Sequence, residues 1–391
     1  MLQVIHKAPL STTAKASHTL HLPLMAAPIP IRSGTSNAYT IPTDAPESDG
    51  TFAWNSTTLV VVQLKAGDAT GVGYTYSDQT AAPLVRSLLA EAVVGSNAFD
   101  IPSIFSKLRY LQRNYGREGL AATALSGIDI ALWDLKAKLL GQPLVSLLGQ
   151  MRDGAPVYGS GGFTCYSDEQ LRAQLGGWAA QGIPRVKMKI GTEPQRDLAR
   201  VKVAREAIGD GTQLFVDANG AYSRKQALWF SEQFAAEFNV RWFEEPVSSD
   251  DLAGLHLLRN RAPTGMDIAA GEYGWDAMYF RRMLAAEAVD VLQADATRCG
   301  GVTGFLDAAA LADVHPLPFS AHCAPSVHMH LGCAVRSLRH VEYFHDHVRI
   351  EQMLFDGFCT PKDGAMHPDS SRPGLGLEFK AKDAEKFKDD I

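Results

Sequence analysis

Hydrophobic and polar positions along the chain follow three textures in turn. Between Ala38 and Tyr76 apolar residues recur at the two-residue period of extended backbone: AYTI, then the β-branched run at residues 58–62, then GVGYTYS. That pattern predicts a small antiparallel sheet, with the polar stretch PTDAPESDGTFAW, residues 42–54, as a loop. A helical period follows at residues 121–140. Leu125, Ile128, Leu132, Leu135 and Leu139 recur at spacings 3, 4, 3 and 4 before Gly141 and Pro143 stop it, which predicts a helix with one buried stripe. From Pro156 the third texture begins. Eight short apolar runs, PVYGS, RVKMKI, QLFVDA, VRWFEE, DIAAGE, VDVLQAD, LPFSAH and RHVEYF, alternate with helical patterns, as in a closed α/β barrel and unlike an open doubly wound sheet. The chain thus divides into residues 34–150, a barrel over 151–345, and a loop-rich tail over 346–391 that returns to the N-terminal sheet. Residues 1–33 are irregular and rich in Pro, Ser and Thr, and no element is predicted there.

Composition narrows the class without changing this picture. The 391 residues are 46% apolar and 20% charged, which excludes a stapled miniprotein and extended disorder. The net charge is −6 and no basic block stands out, so the footprint of a nucleic-acid or anionic-membrane partner is missing. A small molecule is the expected partner. Five cysteines without a C-x-x-C pair point to reduced thiols and a cytoplasmic setting, and the N-terminus matches a signal peptide only incompletely. No run approaches the roughly 20 apolar residues that span a bilayer.

The chemistry lies in the placement of ionisable residues. Lys189, Asp217, Glu244, Glu272, Asp295, His322 and Glu342 each fall at or just after the end of a successive apolar run, at intervals of 28, 27, 28, 23, 27 and 20 residues. One βα unit has about that length, and strand C-termini of a barrel converge on one mouth. Three of the seven, Asp217 in FVDANG, Glu244 in WFEEPV and Glu272 in AAGEYG, are carboxylates on consecutive strands. Buried together they repel unless a cation compensates them, and an all-oxygen set favours Mg²⁺. Lys187 and Lys189 share a strand face, and two cations that close, beside a divalent ion, lower the pKa of the inner lysine and make it a usable base. Asp295 and His322 end neighbouring strands, where a carboxylate on one imidazole nitrogen leaves the other to move a proton. Cys299 and Cys323 read as small buried spacers beside the mouth.

Taken in order, K-x-K, D-A-N, E-E-P, G-E, D followed by G-G-V-T-G, a His and a final Glu resemble the mandelate racemase subgroup of the enolase superfamily. The likeness extends from about Asn37 to the C-terminus and includes ALWDLKAKLLGQPLVSLLG. It implies a modified (β/α)7β barrel with an α+β capping domain formed by the N-terminal part and the C-terminal tail, and a homo-oligomer. It further implies Asp217, Glu244 and Glu272 as Mg²⁺ ligands, and Lys189 and His322 with Asp295 as acid/base groups. Glu342, in protonated form, and Lys187 would then meet the substrate carboxylate, and Asn219 would be a further substrate contact.

Such a site removes a proton α to a carboxylate. Two reactions follow from there: dehydration of an acid sugar to a 2-keto-3-deoxy acid, which the resemblance favours, and racemisation or epimerisation with the same Lys189 and His322. A sugar-acid binding protein would need no such pair. A dinucleotide oxidoreductase would need G-x-G-x-x-G, which Gly71-Val72-Gly73 and Gly159-Ser160-Gly161 do not complete.

Overall fold

The β-branched run becomes the middle strand of a three-stranded antiparallel sheet in the computed structural model, which describes residues 28–114 and 116–391. Its strands are β1 (Ser33–Ser48), β2 (Ala53–Ala66) and β3 (Ala69–Tyr76), in that order. Of the unassigned N-terminal stretch, residues 1–27 lie outside the described residues; Pro30 bridges to Asn97 and Ser33 opens β1. The loop expected at residues 42–54 is instead mostly strand. β1 runs on to Ser48, with its register to β2 shifting between Pro42 and Glu47. Proline is tolerated there because β1 is an edge strand and the shift is a bulge. The hairpin tip is pressed onto the barrel, where a methyl at Gly50 would collide with the carbonyl oxygens of Ala218 and Ile190.

Beyond the bulge, Glu47 is 1% exposed and accepts the Trp54 Nε1–H at 2.8 Å. Burial, and then the charge of Asp346, push its pKa up to about 8. An acid raised on folding is protonated where the unfolded chain has already ionised, so its cost to stability grows as pH rises from about 4.5 through about 8. Glu47→Gln is therefore expected to stabilise the protein by about 1–3 kcal/mol at pH 9, with the gain shrinking towards pH 5. Melting temperatures across this range check it, and a difference independent of pH would refute it.

The helix Leu120–Leu139 packs on β3 so closely that a methyl at Gly71 or Gly73 would meet the backbone of Ala131. Those glycines serve helix-on-strand contact. Fifteen of the helix's 20 residues are buried, against the expected single stripe, because the sheet covers one face and barrel and cap helices cover the others. Two acids buried in it are tied down. Asp134 accepts from the backbone of Val72 and Leu375, each at 2.7 Å, and Asp129 from the Thr303 backbone at 2.9 Å and hydroxyl at 2.7 Å.

The eight apolar runs close into a parallel barrel: β4 (Ala155–Gly161), β5 (Arg185–Lys189), β6 (Gln213–Asp217), β7 (Val240–Glu244), β8 (Asp267–Ala270), β9 (Val291–Ala294), β10 (Phe319–Ala321) and β11 (Leu338–Phe344). Each strand pairs with the next and β11 pairs with β4, which closes the circle. Seven helices connect the eight strands, giving the (β/α)7β arrangement. Tyr158, Phe215 and Trp242 fill the barrel axis. After β11 the helix His345–Leu354 leads into the tail, whose Asp389 donates its N–H to Ala38 O at 3.0 Å on β1. No helix among the described residues is long and apolar enough to cross a membrane.

Candidate active site

Lys189, Asp217 and Glu244 are the last residues of β5, β6 and β7, while Glu272, Asp295 and His322 follow β8, β9 and β10 by one or two residues. None is more than 5% exposed. The barrel therefore gathers at one mouth groups spread over some 130 positions of sequence.

An oxygen each from Asp217, Glu244 and Glu272 lies within 4.8 Å of the others. Glu244 accepts the Trp242 Nε1–H at 2.8 Å, and Asp217 accepts the Asn219 backbone N–H at 2.9 Å. Glu272 Oε2 is buried without a hydrogen-bond donor among the described residues. An orphaned carboxylate oxygen facing two further carboxylates fits a hard divalent cation such as Mg²⁺. Burial, and then the charge of Asp217, raise the pKa of Glu244 well above the ordinary value, which marks the cost of assembling these anions.

The lysines carry the opposing charge. Lys189 Nζ lies 2.6 Å from Asp217, and Lys187 Nζ contacts Glu244, Asp217 at 3.1 Å and Glu342 at 2.9 Å. Lys187 does act to lower Lys189, as expected for paired cations beside a divalent ion, but the chain's own groups give the opposite net direction. Burial and the Lys187 charge both oppose the Lys189 ammonium, but Asp217 with Glu272 and Glu244 holds it above its usual range.

Lys187 and Glu342 also lie deeper than the spacing suggests. Lys187 is two residues inside the end of β5 and Glu342 two inside the end of β11; both are fully buried, and neither lines the cavity at the mouth. They form a layer beneath the metal-type carboxylates, with Lys187 as counter-ion. Burial would raise the pKa of Glu342, but Lys187, then His322 and Lys189, hold it well below the carboxylate range, the opposite direction to that of the protonated form expected, and it accepts the Cys323 N–H at 3.0 Å.

His322 Nδ1 sits 2.9 Å from Asp295 Oδ2, and Asp295 Oδ1 accepts the Thr297 N–H and hydroxyl, both at 2.7 Å. With Nδ1 on the carboxylate, Nε2 faces the mouth, 3.5 Å from Glu272 and 3.8 Å from Glu342. Burial would raise the pKa of Asp295, but its bond to His322 and nearby cations hold it well below the usual range. The cap fixes this segment from outside: the Thr75 hydroxyl donates to Thr297 O at 2.7 Å, and Ser126 Oγ accepts the Gly300 N–H at 2.8 Å.

These groups open onto a cavity of about 460 Å³ between barrel and cap. Lys189, Asn219, Glu272 and His322 line it from the barrel; the β1–β2 hairpin, through Phe52, Trp54 and Thr58, lines it from the cap. Three participants escaped the sequence pattern. Arg298 lies 3.5 Å from Glu272 and 3.8 Å from Asp295; its signal was a cation three residues after Asp295. Glu245, the second acid of E-E-P, is buried with φ of 37° and its Oε1 has no donor among the described residues. Cys323 is more than a spacer, lining the cavity with Sγ 3.3 Å from His322 Nε2.

Residues 170–384 match the enolase C-terminal domain-like family, and residues 41–149 match the mandelate racemase / muconate lactonizing enzyme N-terminal domain. The chain belongs to the enolase superfamily, in its mandelate racemase subgroup. This superfamily member is 34% identical over 326 residues to the L-talarate/galactarate dehydratase of Salmonella typhimurium, a match covering 82% of this chain and 80% of that one. It is 31% identical over 353 residues to the 3,6-anhydro-alpha-L-galactonate cycloisomerase of Streptomyces coelicolor, covering 88% and 96%. Among solved structures, a mandelate racemase/muconate lactonizing enzyme-like protein from Rubrobacter xylanophilus superposes with TM-score 0.90 at 52% identity, over 92% of this chain and 100% of that one. The Salmonella dehydratase with Mg and L-lyxarohydroxamate superposes with TM-score 0.85 at 29% identity, over 98% and 97%.

Proposed function

We propose that the protein is a Mg²⁺-dependent dehydratase that converts an acid sugar to a 2-keto-3-deoxy acid. One observation carries this reading: two proton-transfer groups, Lys189 and the His322–Asp295 pair, open onto one cavity from strands three steps apart around the barrel, beside three clustered carboxylates. Groups so placed reach one substrate carbon region from different sides. Its dehydratase-named relatives support the same chemistry.

Lys189 and His322 divide two proton transfers. One takes the proton α to the substrate carboxylate, leaving the electron pair delocalised onto that carboxylate as an enediolate. The pair then expels the β-hydroxyl, which receives a proton from the other and departs as water; the resulting enol tautomerises to the 2-keto acid. Asp295 stabilises the imidazolium form of His322 and fixes its orientation. Asn219 and Glu272 present buried oxygens to the cavity floor. Mg²⁺ held by Asp217, Glu244 and Glu272 would supply positive charge where the substrate carboxylate gains electrons and, by engaging Asp217, loosen the hold on the Lys189 proton.

A panel of acid sugars assayed for 2-keto product tests the reading, and a substrate whose α-carbon inverts without loss of water would point to an epimerase. Excess chelator is expected to abolish turnover and Mg²⁺ to restore it. Glu244→Gln, which removes one anionic ligand at constant volume, is expected to weaken Mg²⁺ at least as much as the roughly 10–100-fold that loss of a supporting group costs. Full turnover in chelator would refute metal dependence.

A further inference from the structure

The two walls of the cavity differ in chemistry. The barrel wall is charged, but its cations are already engaged: among the described residues the cavity's Lys and Arg side chains are Lys189, 2.6 Å from Asp217, and Arg298, between Glu272 and Asp295 with its face over the Tyr273 ring. The cap wall includes Ser56, Thr57 and Thr58 of β2, with the Thr58 hydroxyl bonded to Thr40 Oγ1 at 2.8 Å, beside the stacked rings of Phe52 and Trp54. Among the described residues its one acidic group is Asp49 at the hairpin tip. Asp49 Oδ1 accepts the N–H groups of Thr51 and Phe52 at 2.7 and 2.8 Å, which fixes the carboxylate in place. The tip is itself pinned, because Asp49 O accepts the hydroxyls of Thr164 at 2.9 Å and Thr192 at 2.6 Å.

His347 completes this wall from the helix His345–Leu354. Its ring stacks on Tyr76 at 3.4 Å and 13°, and Nδ1 accepts the Ala324 N–H at 3.2 Å. A ring nitrogen that accepts an N–H carries no proton, so the imidazole is neutral with its hydrogen on Nε2. It can donate to a hydroxyl without offering a full positive charge.

We infer that the cavity takes a monocarboxylic sugar acid, with the carboxylate at the barrel wall, a neutral polyhydroxyl tail at the cap wall, and His347 Nε2–H donating to a tail hydroxyl. This rests on the dehydratase reading and makes it more specific. A second carboxylate at the far end would be desolvated beside Asp49 with no unengaged cation among the described residues to meet it. Hydroxyls, which donate and accept, match the Ser, Thr, Asp49 and His347 groups, and the aromatic rings suit the apolar faces of a sugar chain.

The full chain with Mg²⁺ is to be assayed on monoacids (gluconate, galactonate) and diacids (glucarate, galactarate). The best monoacid is expected to exceed the best diacid in kcat/KM by at least about tenfold. His347→Phe keeps the stack and removes the donor, so KM for the favoured monoacid should rise about 3–12-fold with little change in kcat, and His347→Gln should recover part of the loss. Asp49→Asn keeps the turn's acceptor but removes its charge and should narrow the monoacid preference. A diacid turned over as well as or better than every monoacid, or an unchanged KM in a folded His347→Phe, would overturn the inference. If no acid sugar yields a 2-keto product, the dehydratase reading falls instead. Thermal-shift titration then decides the present point: tighter gluconate than galactarate supports it, and the reverse overturns it.

Discussion

Lys189→Ala is expected to lower kcat for dehydration by about 10³–10⁴-fold. Its ammonium lines the cavity and sits 2.6 Å from Asp217, so truncation removes one of two proton-transfer groups and leaves the other in place. Asp217 retains Lys187 at 3.1 Å and the Asn219 N–H at 2.9 Å, so no buried anion is stranded and the fold should persist. The surviving His322 provides a second readout. Exchange of the α-proton with D₂O should continue in one of Lys189→Ala and His322→Asn, which identifies the group that removes that proton, while net dehydration stops in both. A rate near wild type in either variant would show that the pair is not the acid/base machinery.

Asp295→Asn is expected to cost about 10²–10⁴ in kcat, as the corresponding change does where an Asp orients a catalytic His. The reason lies in how Asp295 is shared. Oδ1 accepts two bonds from Thr297 and Oδ2 faces His322 Nδ1. An asparagine that keeps its oxygen on Thr297 turns its NH₂ towards Nδ1, which must then accept, so the imidazole hydrogen moves to Nε2 and the ring presents the wrong tautomer to the substrate. An asparagine that flips loses the Thr297 bonds. Neither arrangement stabilises the imidazolium. Stability should fall by no more than about 1–2 kcal/mol, since shape is kept and the side chain lies at the barrel mouth. kcat and Tm measured together decide it: an unchanged rate, or a collapsed fold, would make Asp295 a structural cap.

Arg298 and His347 show what kind of group escapes a reading by strand ends. Arg298 lies four residues past β9, on a loop, and His347 three past β11, in a helix; neither belongs to the period-two pattern that exposes Lys189 or Asp217. Their places at the cavity depend on how Tyr273 and Tyr76 pack against them. The β1 extension was hidden for a related reason. T-D-A-P-E-S reads as a loop because residues 43–46 are partly or fully exposed and the two buried residues that follow, Glu47 and Ser48, are polar, and its strand character comes from pairing with β2 across a bulge. The helix Leu120–Leu139 shows the converse, a stripe of leucines with small residues around it that are buried only because a sheet and a barrel enclose them.

By itself the sequence determined the closed barrel and the convergence of six ionisable groups on its mouth, because short apolar runs one βα unit apart leave little freedom over where strand ends fall. Depth was decided by the tertiary structure alone. Lys187 and Lys189 share a strand face, as period two requires, yet inward-facing neighbours on a strand are about 6.6 Å apart along it. That distance separates a lysine at the cavity from one buried under the carboxylates, and it likewise sets Glu342 beneath His322. Which of these layers meets the substrate follows from where the capping hairpin closes, a contact between Gly50 and the loops after β5 and β6 that no local pattern encodes.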